Sequence, residues 1–365
     1  MINMINMDLM YSLDEIGLIP AVTSGISHRS DVNPYRTEII TNGIVTQPVD
    51  KLPIFVAPMT SIINDDNFNT FNSSKVIPIH PRTERVDKYI IPSNNWIAMS
   101  LSQFKHWFND CKAPDNQHYK VLIDVANGHM QEIYDCVRDA KQEYGNNLTI
   151  MIGNIANPNT YYECCRAGVD YVRVGIGGGS VCTTGVQTGI HASMVWLLSI
   201  ISAERKYVHS DLEFHKNHPD YNTSFLTETK VIADGGINTI DRAIKCLALG
   251  ADYVMMGKLF AQCEEACGER REVPDDGYHI WKFERKYYGM ASIQGQRDIS
   301  GGVNKNPEGI ETWVPIKYTL EQFISKFEAA LLSCMSYCGA SNLNEFIGKV
   351  DWIPMTSKEF KSYYK

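Results

Sequence analysis

The chain has 365 residues, 44% hydrophobic and 21% charged, and a formal net charge of −8 at pH 7. These values describe a globular protein able to bury a large core, and the acidic balance leaves no basic surplus for wrapping a phosphate backbone, so nucleic acid is not an expected partner. No stretch approaches a membrane span, the N-terminal MINMINMDLMYSLDEIG lacks a basic segment leading into an apolar one, and the ten cysteines show no paired zinc spacing; the expectation is a cytoplasmic protein with reduced thiols and no membrane partner.

After a polar N-terminal arm over about residues 1–50, short apolar runs recur: PIFVAP from Pro53, KVIPIH from Lys75, NWIAMS from Asn95, KVLIDV from Lys120, LTIMIG from Leu148, DYVRVG from Asp170, KVIADG from Lys230 and DYVMMG from Asp252. Between most of them lies a helix-length segment such as GHMQEIYDCVRDAKQEYG or NPNTYYECCRAG. Runs that are continuously apolar rather than alternating are what a parallel sheet buried on both faces requires. The pattern predicts an α/β fold, a (β/α)8 TIM barrel over about residues 51–268 within one domain of 1–365, with a doubly wound open sheet as the competing arrangement. A partial repeat favours the barrel. RAGVDYVRVG, Arg166 to Gly175, and LALGADYVMMG, Leu247 to Gly257, share a helix-ending glycine, an Asp-Tyr-Val strand and a closing glycine. Gly168 and Gly250 suit left-handed helix C-caps, and Cys164 and Cys165 read as packing residues. The polar stretch from Glu204 to Thr229 reads as a surface excursion, and its His209, His215 and His218 match no metal-ligand spacing. Beyond Glu269, the Gly-rich YYGMASIQGQRDISGG and the helical LEQFISKFEAALLSCMSYCG predict a mobile flap and a closing helix. Trp352, Phe360, Tyr363 and Tyr364 would cover a neighbouring subunit or close the barrel floor.

Chemistry in such a barrel belongs at the C-terminal strand ends. The sixth run leads into VRVGIGGGSVCTTGVQTG, where Gly175, Gly177, Gly178 and Gly179 let backbone N–H groups crowd against an anion or cation. Cys182 then stands beyond the strand as a thiol open to ligand, with Thr183 and Thr184 able to relay protons. The bland alternative is a Gly-rich turn with a chance cysteine. Asp234-Gly235-Gly236 and Gly257 follow the seventh and eighth runs, where this architecture commonly holds phosphate, and Ser180 completes the ring. Asp234 is placed to accept hydrogen bonds from a ribose diol. Three glycine-bearing strand ends and a reactive thiol in one crevice point to a nucleoside monophosphate.

From about Leu13 to about Thr356 the chain resembles the IMP dehydrogenase and GMP reductase family, through GIGGGSVCTT and then VIADGGI, MMGK, YYGM and PEGI in order. The resemblance implies that Cys182 attacks purine C2 with Thr184 working beside it. It implies phosphate contacts at Ser180, Gly235, Gly236, Gly257 and Tyr288, a ribose contact at Asp234, purine contacts at Met290 and Glu308, a nucleotide contact at Gly289, and a further active-site position at Asn154. It implies NADPH or NAD as cofactor, with Asp124, Asn127 and Gly128 on its side. A potassium ion would sit on the cysteine loop at Gly175, Gly177 and Cys182, and the assembly would be a homo-oligomer, a tetramer in relatives.

Three features resemble the reductase branch. No regulatory insertion fits between Lys75 and Asn95, Asp124-Val125-Ala126-Asn127-Gly128 matches its fourth strand end, and the nearest thing to a water-activating Arg-Tyr pair is Arg297-Asp298. The implied reaction is NADPH-dependent conversion of GMP to IMP. Departures lie at the catalytic end. Ile293 occupies the place expected for a glutamate partner of the threonine, His80 is followed by Pro81 with Arg82 next, and Gly178 and Gly185 replace Pro and Arg. Any proton relay must then come from Glu308, Asp124 or elsewhere. The alternatives are IMP oxidation to XMP, action on a modified or deoxy purine nucleotide, and a purine-nucleotide binder whose relay has decayed.

Overall fold

The computed structural model describes residues 11–42, 45–82, 94–110, 117–217, 228–274, 281–300, 302 and 306–355. All eight apolar runs are strands: β1 (Ile54–Val56), β2 (Ile77–His80), β3 (Trp96–Met99), β4 (Tyr119–Asp124), β5 (Leu148–Ile155), β6 (Tyr171–Val174), β7 (Lys230–Asp234) and β8 (Tyr253–Met256). They close into an all-parallel barrel in which β8 pairs with β1. Helices α1 (Asp65–Asn72), α2 (Leu101–Asp110), α3 (Gln131–Tyr144), α4 (Thr160–Ala167), α5 (Thr184–Thr188), α6 (Met194–Asn217), α7 (Ile240–Ala248) and α8 (Lys258–Ala261) follow β1, β3, β4, β5, β6 (two helices), β7 and β8. The fold is the expected (β/α)8 barrel and not an open sheet.

Alternation along each strand sorts the side chains. Outward residues such as Val121, Val172, Val174 and Val231 pack under the helices, and inward residues such as Phe55, Trp96, Leu122, Met151, Ile232 and Tyr253 fill the barrel. Phe55 lies 5.7 Å from the Trp96 ring and 5.2 Å from that of Tyr253. The same alternation puts the residues two beyond Leu122, Tyr171 and Ile232 into the interior one layer nearer the mouth, and these are Asp124, Arg173 and Asp234. A polar layer at the C-terminal end is therefore a consequence of register.

The opposite end is closed by a hairpin the sequence did not announce, Arg36–Asn42 with Val45–Lys51. Its Glu38 accepts a 2.8 Å hydrogen bond from the Tyr253 hydroxyl and pairs with Lys120 at 3.4 Å, both at N-terminal strand starts. With the floor covered, the mouth is the open face.

Two expectations require correction. Residues 204–217 are not an excursion: α6 continues through them because Val208 stays buried against the body while Tyr207 faces out. His209 and His215 therefore stand on a helix, and His218 lies outside the described residues. The Gly-rich flap is likewise structured. Helix α9 (Ile293–Ser300) sits beside an unforeseen antiparallel sheet of Arg270–Glu272, Phe283–Tyr288 and Glu311–Pro315. The closing helix, α10 (Leu320–Tyr337), begins with a capping box: the Thr319 hydroxyl accepts from the Gln322 N–H at 3.2 Å, and the Gln322 amide oxygen accepts from the Thr319 N–H at 3.0 Å. Its Phe323 packs 5.2 Å from Phe260. Trp352 pairs with the N-terminal strand Ile16–Leu18; Phe360, Tyr363 and Tyr364 lie outside the described residues.

Candidate active site

The C-terminal mouth holds a cavity of about 270 Å³ whose wall includes Cys182, Thr184, Glu308, Asn154, Asp124, Asp234, Ser180, Gly235, Gly236, Gly257, Gly289 and Met290. Loops from five of the eight strands and the flap thus bring together residues up to 184 positions apart along the chain.

The chemistry centres on a chain of three groups. The Cys182 thiol donates to the Thr184 hydroxyl at 3.3 Å, and that hydroxyl donates to the Glu308 carboxylate at 2.7 Å. A local backbone ribbon fixes the geometry: Cys182 bridges Gly309 antiparallel, the Thr183 N–H donates to the Glu308 carbonyl at 2.9 Å, and the Ile310 N–H to the Val181 carbonyl at 3.0 Å. The ribbon is why a carboxyl 124 residues downstream lands on Thr184. Position 293 is not where the threonine finds its partner. Ile293 begins α9 with 40% of its surface exposed, and its lack of a carboxyl leaves the Cys182–Thr184–Glu308 hydrogen-bond chain intact.

Beneath these groups lies the polar layer. Arg173 donates to Asp124 Oδ1 at 2.7 Å and to Asp234 Oδ2 at 2.9 Å, while Arg82 pairs with Asp124 Oδ2 at 2.9 Å. Burial alone would raise the Asp124 carboxyl, but the two guanidiniums outweigh it and hold the group below the ordinary carboxylate range. Burial lowers Arg173 less than the two aspartates raise it, so it stays charged. Arg82, following Pro81, thus occupies the mouth as an ion-pair clamp. Asn154 joins the layer to the cysteine loop through its amide, which donates to the Gly175 carbonyl at 2.7 Å and to Asp234 Oδ2 at 2.9 Å. The bonds to Asp234 all fall on Oδ2, leaving Oδ1 without a partner among the described residues.

Glycine is required where these loops meet. Gly175 has φ +123°, and a Cβ there would lie 2.2 Å from the Asp234 carbonyl; at Gly236, φ +74°, it would lie 2.9 Å from the Gly178 carbonyl. Two strand-end loops therefore touch backbone to backbone at the cavity wall.

Three of the expected contact residues are not on the cavity wall. Tyr288 is one, its hydroxyl donating to Asp298 at 2.7 Å. Tyr287, one residue earlier and so on the opposite strand face, lines the cavity instead, with a hydroxyl that a Cβ on Gly257 would approach to 2.7 Å. Neither Asn127 nor Gly128 reaches the cavity wall: the Asn127 side chain accepts from the His129 N–H at 3.1 Å, and Gly128 is buried with its N–H on the Asn154 carbonyl at 2.9 Å. Val125 and Ala126 line the wall in their place. Arg173 and Tyr287 were missed by inspection of motifs, although alternation along β6 alone marks Arg173 as inward.

Fold and pocket together define a parallel (β/α)8-barrel protein whose C-terminal mouth holds a cavity lined by a thiol and by glycine-rich loops. Residues 114–362 match the family described as the IMP dehydrogenase / GMP reductase domain. An inosine-5'-monophosphate dehydrogenase of Chlorobaculum parvum is 32% identical over 249 residues, covering 65% of this chain and 45% of that protein. A GMP reductase of Streptococcus agalactiae is 30% identical over 315 residues, 83% of this chain and 84% of the relative, and one from Staphylococcus saprophyticus is 29% identical over 324 residues, 85% and 87% respectively. The chain belongs to the IMP dehydrogenase / GMP reductase family. It spans about half the length of the dehydrogenase relatives it matches. No helix among the described residues is long and apolar enough to cross a membrane.

Proposed function

We propose that the protein is a purine nucleotide oxidoreductase that converts GMP, or a related guanine nucleotide, to its hypoxanthine counterpart with release of ammonia. The observation that carries this reading is the Cys182–Thr184–Glu308 chain beside a cavity wall of Ser180, Gly235, Gly236 and Gly257. In this reading the thiol loses its proton through Thr184 toward Glu308, and the thiolate adds to purine C2. The same hydroxyl then returns a proton to the exocyclic amine, which leaves as ammonia and gives a thioimidate on Cys182. A bound NADPH supplies hydride chemistry. Return of the C2 carbon to the hypoxanthine oxidation level breaks the C–S bond and frees the thiol. Asp234, fixed through Oδ2, offers Oδ1 to the ribose diol. Ser180, Gly235, Gly236, Gly257 and Tyr287 take the phosphate, and Met290 and Glu308 border the purine.

For the cofactor, the available surface is Val125–Ala126 together with Arg82, because Asp124 is committed to its arginines and Asn127 and Gly128 are engaged elsewhere. A potassium ion on the cysteine loop would have to share the Gly175 carbonyl with Asn154. Oxidation of IMP would need a water-activating group on the flap. The nearest candidate, Asp298, already receives the Thr60 and Tyr288 hydroxyls at 2.6 and 2.7 Å and the Gln294 amide at 2.8 Å. That commitment favours the reductase. The reading is tested by exposing the protein to a 2-halogenated purine nucleotide and locating the adduct by peptide mass spectrometry. A modification on Cys182 that GMP blocks and Thr184→Val slows supports it, and unmodified Cys182 contradicts it.

A further inference from the structure

The polar layer of the mouth is balanced by one residue. Arg173 bridges Asp124 and Asp234, and Arg82 brings a second guanidinium to Asp124, its Nε 2.9 Å from Oδ2. Together these groups carry two charges of each sign; without Arg82 the two aspartates would share a single arginine. Arg82 is also the more open of the pair, its side chain 22% exposed against 10% for Arg173. It shares the cavity wall with Val125 and Ala126, which directly follow Asp124. A hydride donor for a purine held on Cys182 has to enter this same cavity, and the wall left to it by the nucleotide is that of Arg82, Asp124, Val125 and Ala126. A nicotinamide ring is neutral when reduced and a cation when oxidised. The two forms therefore differ by one unit charge in what they gain from the field of that wall. An aspartate without its full complement of arginine would favour the cation, and a doubly clamped one does not.

We propose that Arg82 is a specificity-determining residue: by neutralising Asp124 it makes the site prefer the reduced nicotinamide cofactor to the oxidised one. The inference deepens the preceding reading and rests on it for the class of cofactor. The preference favours loading of the donor and release of the oxidised form but opposes departure of hydride on the protein, so affinity and not turnover is the readout. NADPH and NADP⁺ are titrated by calorimetry, with GMP present, into a Cys182→Ala parent in which no adduct forms. The same titrations follow for that parent carrying Arg82→Met, Arg82→Lys, Asp124→Asn, or Arg82→Met together with Asp124→Asn. Arg82→Met, which leaves the layer one charge negative, should tighten NADP⁺ relative to NADPH by about fivefold to fiftyfold. Asp124→Asn should shift the ratio about as far in the opposite direction. Arg82→Lys and the double variant, both neutral again, should return it to within about threefold of the parent. An arginine with a structural role alone would change both forms alike. A ratio within about twofold of the parent in Arg82→Met overturns the proposal, and so does a double variant that behaves as Arg82→Met does. Should Arg82→Met not fold, Asp124→Asn decides: a ratio that does not move against NADP⁺ overturns it. If the ratios move as stated while the wild-type protein makes no IMP from GMP and NADPH, the role of Arg82 stands and the guanine reading falls. A parent that binds GMP but neither form of the cofactor overturns the cofactor reading and the proposal together.

Discussion

Replacing Glu308 by Gln isolates proton transfer from binding. The Thr184 hydroxyl donates to Glu308 at 2.7 Å, and a glutamine amide oxygen of the same shape can still accept that bond. What it cannot accept is the proton arriving from Cys182 through the 3.3 Å thiol–hydroxyl contact. Exchanging a charged for a neutral acceptor weakens binding by about 1 kcal/mol, roughly fivefold in KM, whereas loss of a general acid–base group lowers kcat about 10²- to 10⁴-fold. The expected profile of Glu308→Gln is therefore a large fall in kcat with nearly preserved affinity, read from nicotinamide absorbance and from protection of Cys182 by GMP. Ile293→Glu serves as the control: position 293 is exposed on α9, so a carboxyl there should change turnover less than about threefold. Glu308→Gln retaining kcat within a few fold, or Ile293→Glu raising it tenfold, would refute the relay.

Other perturbations follow from the same geometry. Gly236→Val should abolish nucleotide protection of Cys182 while circular dichroism remains that of the wild type, because the new side chain meets the Gly178 carbonyl at φ +74° with a local strain of roughly 1–3 kcal/mol. Asp298→Ala removes an acceptor shared by Thr60 and Tyr288 and should raise the nucleotide KM several-fold with kcat little changed, accompanied by a stability loss of about 1–3 kcal/mol in urea unfolding. His80, stacked 3.5 Å from Phe68, is pushed down by burial to about 4, only partly offset by Asp65. The unfolded chain takes up that proton first, so stability falls as pH drops from 6.5 toward 4, by at most about 3 kcal/mol. In His80→Gln this part of the pH dependence should vanish, and an unchanged difference between pH 6.5 and 4 would count against a neutral buried imidazole.

How much was legible in the sequence depended on the range of the interaction. The barrel strands were, because a parallel strand covered on both faces must be apolar without interruption, and Gly168 and Gly250 punctuate the helices before β6 and β8. The hairpin from Arg36 and the sheet through Phe283–Tyr288 were not, since their residues are mixed in polarity and their stability comes from docking on the barrel. Register explains the Tyr288 assignment: a slip of one residue in a strand exchanges faces, and Tyr287 and Tyr288 are chemically identical on paper. The Glu308–Thr184 bond was open only as one possibility among several, because it depends on the Cys182–Gly309 bridge, a contact between distant segments that no local pattern encodes. Arg173 lay in plain view, an arginine at an inward position of an apolar strand, with Asp234 ending the adjacent strand β7 and Asp124 ending β4, two strands away.

The central claim is that this relay resolves a guanine nucleotide on Cys182 reductively. It is tested most directly by mixing the protein with GMP plus NADPH and, separately, with IMP plus NAD, following nicotinamide absorbance and identifying products by mass spectrometry. The account predicts NADPH consumption with IMP and ammonia in the first mixture and no XMP in the second; turnover confined to the second mixture would contradict it.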